Sequence, residues 1–161
     1  MKISDLLTVE LVLPALIARE KDEVMQTLAA HVSRHRPELD HGRLVTALQE
    51  RERQMTTALT DGVAIPHAKL PGLLHMVAAF GRSLGGIDCD SHDGRPTHLF
   101  LLLVTPAEDP GAHLKVLAAA SRLLHDGRCR ARLMQADHDE IALLAALREE
   151  ESRTQRAARA A

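Results

Sequence analysis

The chain has 161 residues, 45% of them apolar, a formal charge of −2, and two Phe but neither Trp nor Tyr. That is enough to fill one core, and it offers neither the basic footprint nor the stacking rings of a nucleic-acid binder. The opening Met1 to Glu10 holds one Lys and no apolar leader core. The longest apolar run, Leu99 to Val104, is far shorter than the ~20 residues of a membrane span, so a cytoplasmic protein without membrane insertion is expected.

In chain order, Glu10 to Leu16 reads as an edge strand, with Pro14 restricting it to an edge. Glu20 to His35 sets Val24, Leu28 and Val32 at four-residue spacing, with Met25 and Ala29 beside them, which predicts a helix stopped by Pro37. Asp40 can cap a second helix running through Leu44, Ala47, Leu48 and Arg51 to about Met55. Thr56 to Gly62 is turn chemistry, and Val63-Ala64-Ile65 predicts a short strand that Pro66 ends. Val77 to Arg82 and Thr97 to Thr105 predict two more strands. The second is apolar on both faces after His98 and so belongs in the middle of a covered sheet. Gly85 to Gly94, rich in Gly and Asp, predicts turns. Asp109 with Pro110 opens a helix whose face carries Leu114, Leu117, Ser121 and Leu124 until Asp126-Gly127 closes it. Asp137 and Glu140 form a capping-box-like pair before a last helix with Ile141, Leu144 and Leu147. The domain is expected over residues 1–148, with 149–161 as a polar tail, a frayed helical end or disordered. Alternating helices and strands around a buried strand predict an α/β domain, a sheet with helices on its faces.

Among ten histidines, His67 stands out because it follows Gly62-Val63-Ala64-Ile65-Pro66, a rigid apolar lead that holds the ring at a defined place near a strand end. A neutral imidazole has one bare nitrogen, so His67 can attack phosphorus and carry a phosphoramidate. His75, His92, His98, His125 and His138 have no metal-ligand spacing. Asp88, Asp90 and Asp93 lack the rest of a calcium loop. Cys89 and Cys129 stand far apart outside any C-x-x-C pattern, as reduced thiols do. No metal or other cofactor is expected.

Glu50-Arg51-Glu52, Thr56-Thr57 and Gly62 to His67 resemble the phosphorylation-site region of type-2 enzyme IIA domains of the bacterial phosphotransferase system. Phe80 to Ser83, Gly86-Ile87-Asp88, Asp93 to Pro96, the strand to Val104 and His113 to Leu117 extend the resemblance to its nitrogen-regulatory branch, over about residues 3–148. The resemblance implies a mixed central sheet flanked by helices, a phosphorylated His at 67, and an HPr-like phosphoprotein as donor. It further implies Arg51 as a charge-stabilising group, His113 as a second imidazole facing the first, and Thr56 and Thr57 as hydroxyl donors to phosphate. Regulated transporters or sensor kinases are the implied partners of a regulatory form. A sugar-specific enzyme IIA serving a separate enzyme IIB, or a non-catalytic interaction module, are the competing readings. Because His113 is a full cation only when protonated, it is expected to add a pH dependence between about pH 6 and 8. Met55, Ala58 and Thr60 stand where the family commonly has Gly, and Ala68 follows His67 where Gly is common. The loop is therefore less permissive in backbone conformation.

Overall fold

A computed structural model describes all 161 residues. Two 3₁₀ turns, Ile3–Leu6 and Val9–Leu11, precede strand β1 (Val12–Leu13) and helices α1 (Lys21–His35) and α2 (His41–Gln54). Strands β2 (Val63–Ala64), β3 (His67–Leu70), β4 (Val77–Ile87) and β5 (Thr97–Pro106) follow, then helices α3 (Pro110–His125), α4 (Gly127–Gln135) and α5 (Glu140–Ala160). The strands form one mixed sheet in the order β1-β4-β5-β2, with β3 also beside β5. Only β4 and β5 are antiparallel; β1, β2 and β3 run parallel to their partners. The chain thus folds as a single α/β domain of five helices around a mixed sheet.

The apolar pattern explains this layering. Residues 99–104 of β5 are all buried, as a strand covered on both faces requires. The α1 stripe of Val24, Met25, Leu28, Ala29 and Val32 is buried as its periodicity predicts. The Asp40 carboxylate accepts from Arg43 N at 2.8 Å and that of Asp109 from Ala112 N at 3.0 Å, so both expected caps form. The edge strand expected within Glu10 to Leu16 exists as the two residues of β1, and Pro14 follows it immediately.

Four features differ from the sequence reading. Asp126 ends α3 and also opens α4, its carboxylate accepting from Cys129 N at 2.8 Å, so Asp126-Gly127 joins two helices where a stop was expected. Asp139, rather than Asp137, caps α5, accepting from Ala142 N at 2.8 Å. β4 runs on through Gly85-Gly86 to Ile87, with a register shift after Arg82. At Gly86 φ is +78° and a Cβ would lie 2.8 Å from the His98 ring, so this irregular stretch requires glycine.

The fourth difference is the tail. Residues 149–160 continue α5, and Glu150 and Glu151 are buried. The Glu151 carboxylate accepts from Ile3 N at 2.6 Å and Ser4 N at 2.9 Å, satisfying two amides of the first turn. Arg153 binds both Glu150 and Asp126 at 2.6 Å, tying α5 to the start of α4. From Arg156 onward every residue of the helix is exposed.

Arg82 is completely buried in β4, and its partners are all carbonyl oxygens: Pro14 at 3.1 Å, Leu133 at 2.8 Å, Ala136 at 2.7 Å and Asp137 at 3.3 Å. Leu133 and Ala136 lie at the C-terminal end of α4, where free carbonyls and the helix dipole favour a cation. Burial pulls the Arg82 pKa down, and these oxygens are what keep the charge tolerable. Replacing Arg82 by Met should therefore strand buried acceptors and lower the free energy of unfolding by about 3 kcal/mol or more. Urea titration of both proteins measures this, and a loss below about 1 kcal/mol would show that water satisfies the carbonyls instead.

Candidate active site

The site begins with an interruption in a strand. β2 and β3 both pair in parallel with β5, at Val63↔Leu99 and His67↔Leu103, so they are two pieces of one path broken at Ile65-Pro66. Pro66 has no N–H for a ladder, but its carbonyl accepts from Leu103 N at 2.9 Å, and Ile65 N turns away to Thr57 O at 3.0 Å. His67 is the first residue after the break, half-buried, with its backbone fixed against β5.

Hydrogen bonding defines the tautomer of this ring. The Ile65 carbonyl lies 2.7 Å from His67 Nδ1, and a carbonyl can only accept, so Nδ1 carries the proton. Nε2 is then the bare nitrogen, and Arg51 Nε donates to it at 3.0 Å. Arg51 also donates through Nη1 to the Met55 carbonyl at 2.9 Å, which anchors the guanidinium to the end of α2. His113, in the first turn of α3, is 4% exposed, and its ring centroid is 5.5 Å from that of His67 at a tilt of 52°. Its Nδ1 lies 2.6 Å from Thr105 Oγ1. His67, Arg51 and His113, far apart in sequence, therefore converge.

The charges follow from this packing. Burial lowers the His67 pKa below the usual imidazole range; the Ile65 carbonyl opposes this, and the Arg51 charge adds to it. Burial, and then the charges of His67, Lys69 and Arg51, push His113 down to about 4. Both rings are neutral at physiological pH, so His113 does not supply the cation that its unperturbed value suggested between pH 6 and 8.

Thr56 and Thr57 lie close by, but their hydroxyl protons are committed. Thr57 Oγ1 donates to Glu52 at 2.5 Å, and Thr57 N donates to the same carboxylate at 2.9 Å. Thr56 Oγ1 donates to the Cys89 carbonyl at 3.2 Å and accepts from Ala58 N at 3.2 Å. In this state the two threonines fasten the loop between α2 and β2. Glu52 also meets Lys21 at 3.1 Å, so one carboxylate joins α1, α2 and that loop. Its hydrogen bonds hold its pKa low against the opposing effect of burial.

Three residues near the site escaped the sequence reading. Lys69 shares the face of β3 with His67 and is exposed, a period-two relation readable once β3 is recognised as a strand. Glu52 lay within the quoted motif, yet nothing in the sequence marked its link to Thr57. Thr105 gave no signal, being one hydroxyl at the end of an apolar strand. No group of three or more His, Cys, Asp or Glu side chains is arranged to hold a metal ion.

Comparison with known proteins identifies the family. Residues 5–149 match the family described as "Phosphoenolpyruvate-dependent sugar phosphotransferase system, EIIA 2". The chain is 39% identical over 147 residues to a nitrogen regulatory protein of Bradyrhizobium diazoefficiens, covering 91% of this chain and 95% of that one. It is 31% identical over 140 residues to the fructose-specific EIIABC component of Bacillus subtilis, covering 87% of this chain but 22% of that longer protein. Among solved structures, nitrogen regulatory protein IIA-Ntr from Neisseria meningitidis superposes with a TM-score of 0.83 at 26% identity, over 90% of this chain and 98% of the other. With a family match spanning nearly the whole domain, and relatives among the nitrogen regulatory proteins, the chain belongs to the EIIA 2 family of the phosphotransferase system.

Proposed function

We propose that this protein accepts a phosphoryl group on Nε2 of His67 from a phospho-His, HPr-like donor and that its output is regulatory, in nitrogen- or potassium-related control. The observation that carries the reading is the pairing of a bare, neutral His67 Nε2 with the Arg51 guanidinium, beside a second neutral imidazole. The Nε2 lone pair attacks phosphorus, a new N–P bond forms, and the donor's P–N bond breaks with its electron pair returning to the donor imidazole. His67 is left protonated on Nδ1, still facing the Ile65 carbonyl. In the resting site Arg51 Nε occupies the attacking lone pair. It must turn onto the incoming oxygens, which draw it with the roughly −1.5 to −2 charge a phosphoryl group carries. Anchorage at Met55 keeps the guanidinium in range while it does so. Lys69 adds a mobile cation on the same strand face, and His113 acts as a neutral hydrogen-bonding partner.

A regulatory output is favoured over sugar uptake by the 39% identity, over nearly the full length of both chains, to a nitrogen regulatory protein. Under that reading the phosphorylated and free forms differ in their affinity for a transporter or sensor kinase. No helix is long and apolar enough to cross a membrane.

Three outcomes test the proposal. In a mixture with enzyme I, the HPr-like donor and phosphoenolpyruvate, the chain should gain one acid-labile phosphate, and His67→Ala should lose it with an unchanged circular dichroism spectrum. Stoichiometric labelling of that variant would move the acceptor to another histidine, and an unlabelled wild type would leave an interaction module. Arg51→Ala should slow single-turnover transfer by on the order of 100-fold or less, since a donor to developing phosphoryl charge is lost from a solvent-open site while the nucleophile remains. A rate equal to wild type would remove Arg51 from the chemistry.

The third outcome concerns acid. The folded-state pKa of His113, about 4, lies below its unfolded value near 6.5. The unfolded chain therefore binds the extra proton first, and this group's contribution to stability is complete above about pH 6.5 and lost as pH falls toward 4. Denaturant midpoints measured across that range should fall less steeply for His113→Gln than for wild type. Parallel curves would mean that His113 titrates normally in the folded protein.

A further inference from the structure

The Thr105 hydroxyl is fully buried in β5, and its one partner is His113 Nδ1 at 2.6 Å. Two assignments of the shared proton are open on distance alone. If His113 Nδ1–H donated to Thr105, the hydroxyl proton would be left inside the protein with no acceptor, at the cost of an unmade buried hydrogen bond. If Thr105 O–H donates to Nδ1, every proton in the contact is used. The second arrangement leaves His113 protonated on Nε2. That nitrogen has no partner in the protein and is not among the buried polar atoms that lack one, so the small exposed part of His113 includes it.

We infer that Thr105 is the positioning residue that sets the tautomer of His113, giving its hydroxyl proton to Nδ1 so that Nε2–H is the group presented to a phosphoryl oxygen. The two facing rings are then opposite in character. His67 is protonated on Nδ1 through the Ile65 carbonyl and offers a bare Nε2, while His113 is bare on Nδ1 and offers an Nε2–H. One ring attacks phosphorus and the other donates to an oxygen, a division that two identical tautomers could not make. The β5 backbone fixes Thr105 directly, because it pairs with Lys69, two residues after His67 on β3. A single strand register thus sets the hydroxyl beneath one ring and the backbone beneath the other.

The role in transfer rests on the function proposed above, whereas the tautomer does not. Two-bond ¹H–¹⁵N correlation spectra of histidine-labelled protein at pH 7.5 read the tautomers without any phosphoryl donor. The expected result is a bare Nδ1 and protonated Nε2 for His113, and the reverse for His67. Thr105→Val, which replaces the hydroxyl by a methyl of similar size, should shift His113 toward the Nδ1–H form and slow single-turnover transfer on the order of tenfold, less than loss of a donor outright. Thr105→Ser should retain both the wild-type tautomer and rate, and it serves as the test if the Val variant does not fold. A wild-type His113 with bare Nε2 overturns the inference. So does a Val variant with unchanged tautomer, or one with altered tautomer and unchanged rate. If His67 takes no phosphate but the spectra are as expected, the functional proposal fails while the hydrogen-bond assignment stands.

Discussion

A guanidinium buried without a carboxylate holds this domain together. Arg82 reaches from β4 to the carbonyl after β1, to the end of α4 and to the link before α5, so one side chain organises segments from both ends of the sequence. An ion pair could not serve equally well, because a carboxylate satisfies the charge at one point, whereas these four carbonyls require the stretch after β1 and the end of α4 with its link to α5 to be in place at once. The register shift in β4 begins just after Arg82. The strand stays regular up to the residue that needs it and becomes irregular where the glycines allow.

The site obeys a related rule: backbone groups are satisfied first, and side chains take their chemistry from what remains. Pro66 cannot join the ladder as a donor, so the path beside β5 breaks, and the Ile65 carbonyl is free to accept from the His67 ring. That single acceptor decides which nitrogen is bare. Thr56 and Thr57 show the same rule from the opposite direction. In the loop that holds Met55, Ala58 and Thr60, their hydroxyls are spent on the Cys89 carbonyl and the Glu52 carboxylate. Under the function proposed above, the phosphate-facing duties that resemblance assigned to them fall to Arg51 and, on the same strand as His67, to Lys69.

Much of this was legible in the sequence where one period ran long enough to dominate. The α1 stripe, the β5 run and the caps at Asp40 and Asp109 are local signals, and the structure contains each. The sequence was ambiguous where one residue serves two elements. Asp126-Gly127 has the chemistry of a stop, but the Asp also caps a following helix. Glu149 to Arg153 has the composition of a solvated tail, and burial of Glu150 and Glu151 depends on Arg153 and on amides nearly the whole chain away. In the site, His67 is marked by its own flanks, and Arg51 and His113 by resemblance. Thr105 and Glu52 matter through partners that no spacing rule predicts.

The Glu151 contact with Ile3 and Ser4 spans 148 and 147 residues. Closing so long a loop costs entropy that two hydrogen bonds cannot offset until the intervening core is already formed. The first turn must therefore wait for its caps until the sheet and α5 have docked, and on a growing chain Ile3 and Ser4 stay uncapped until almost everything else has been made. Folding of this domain finishes where its synthesis began.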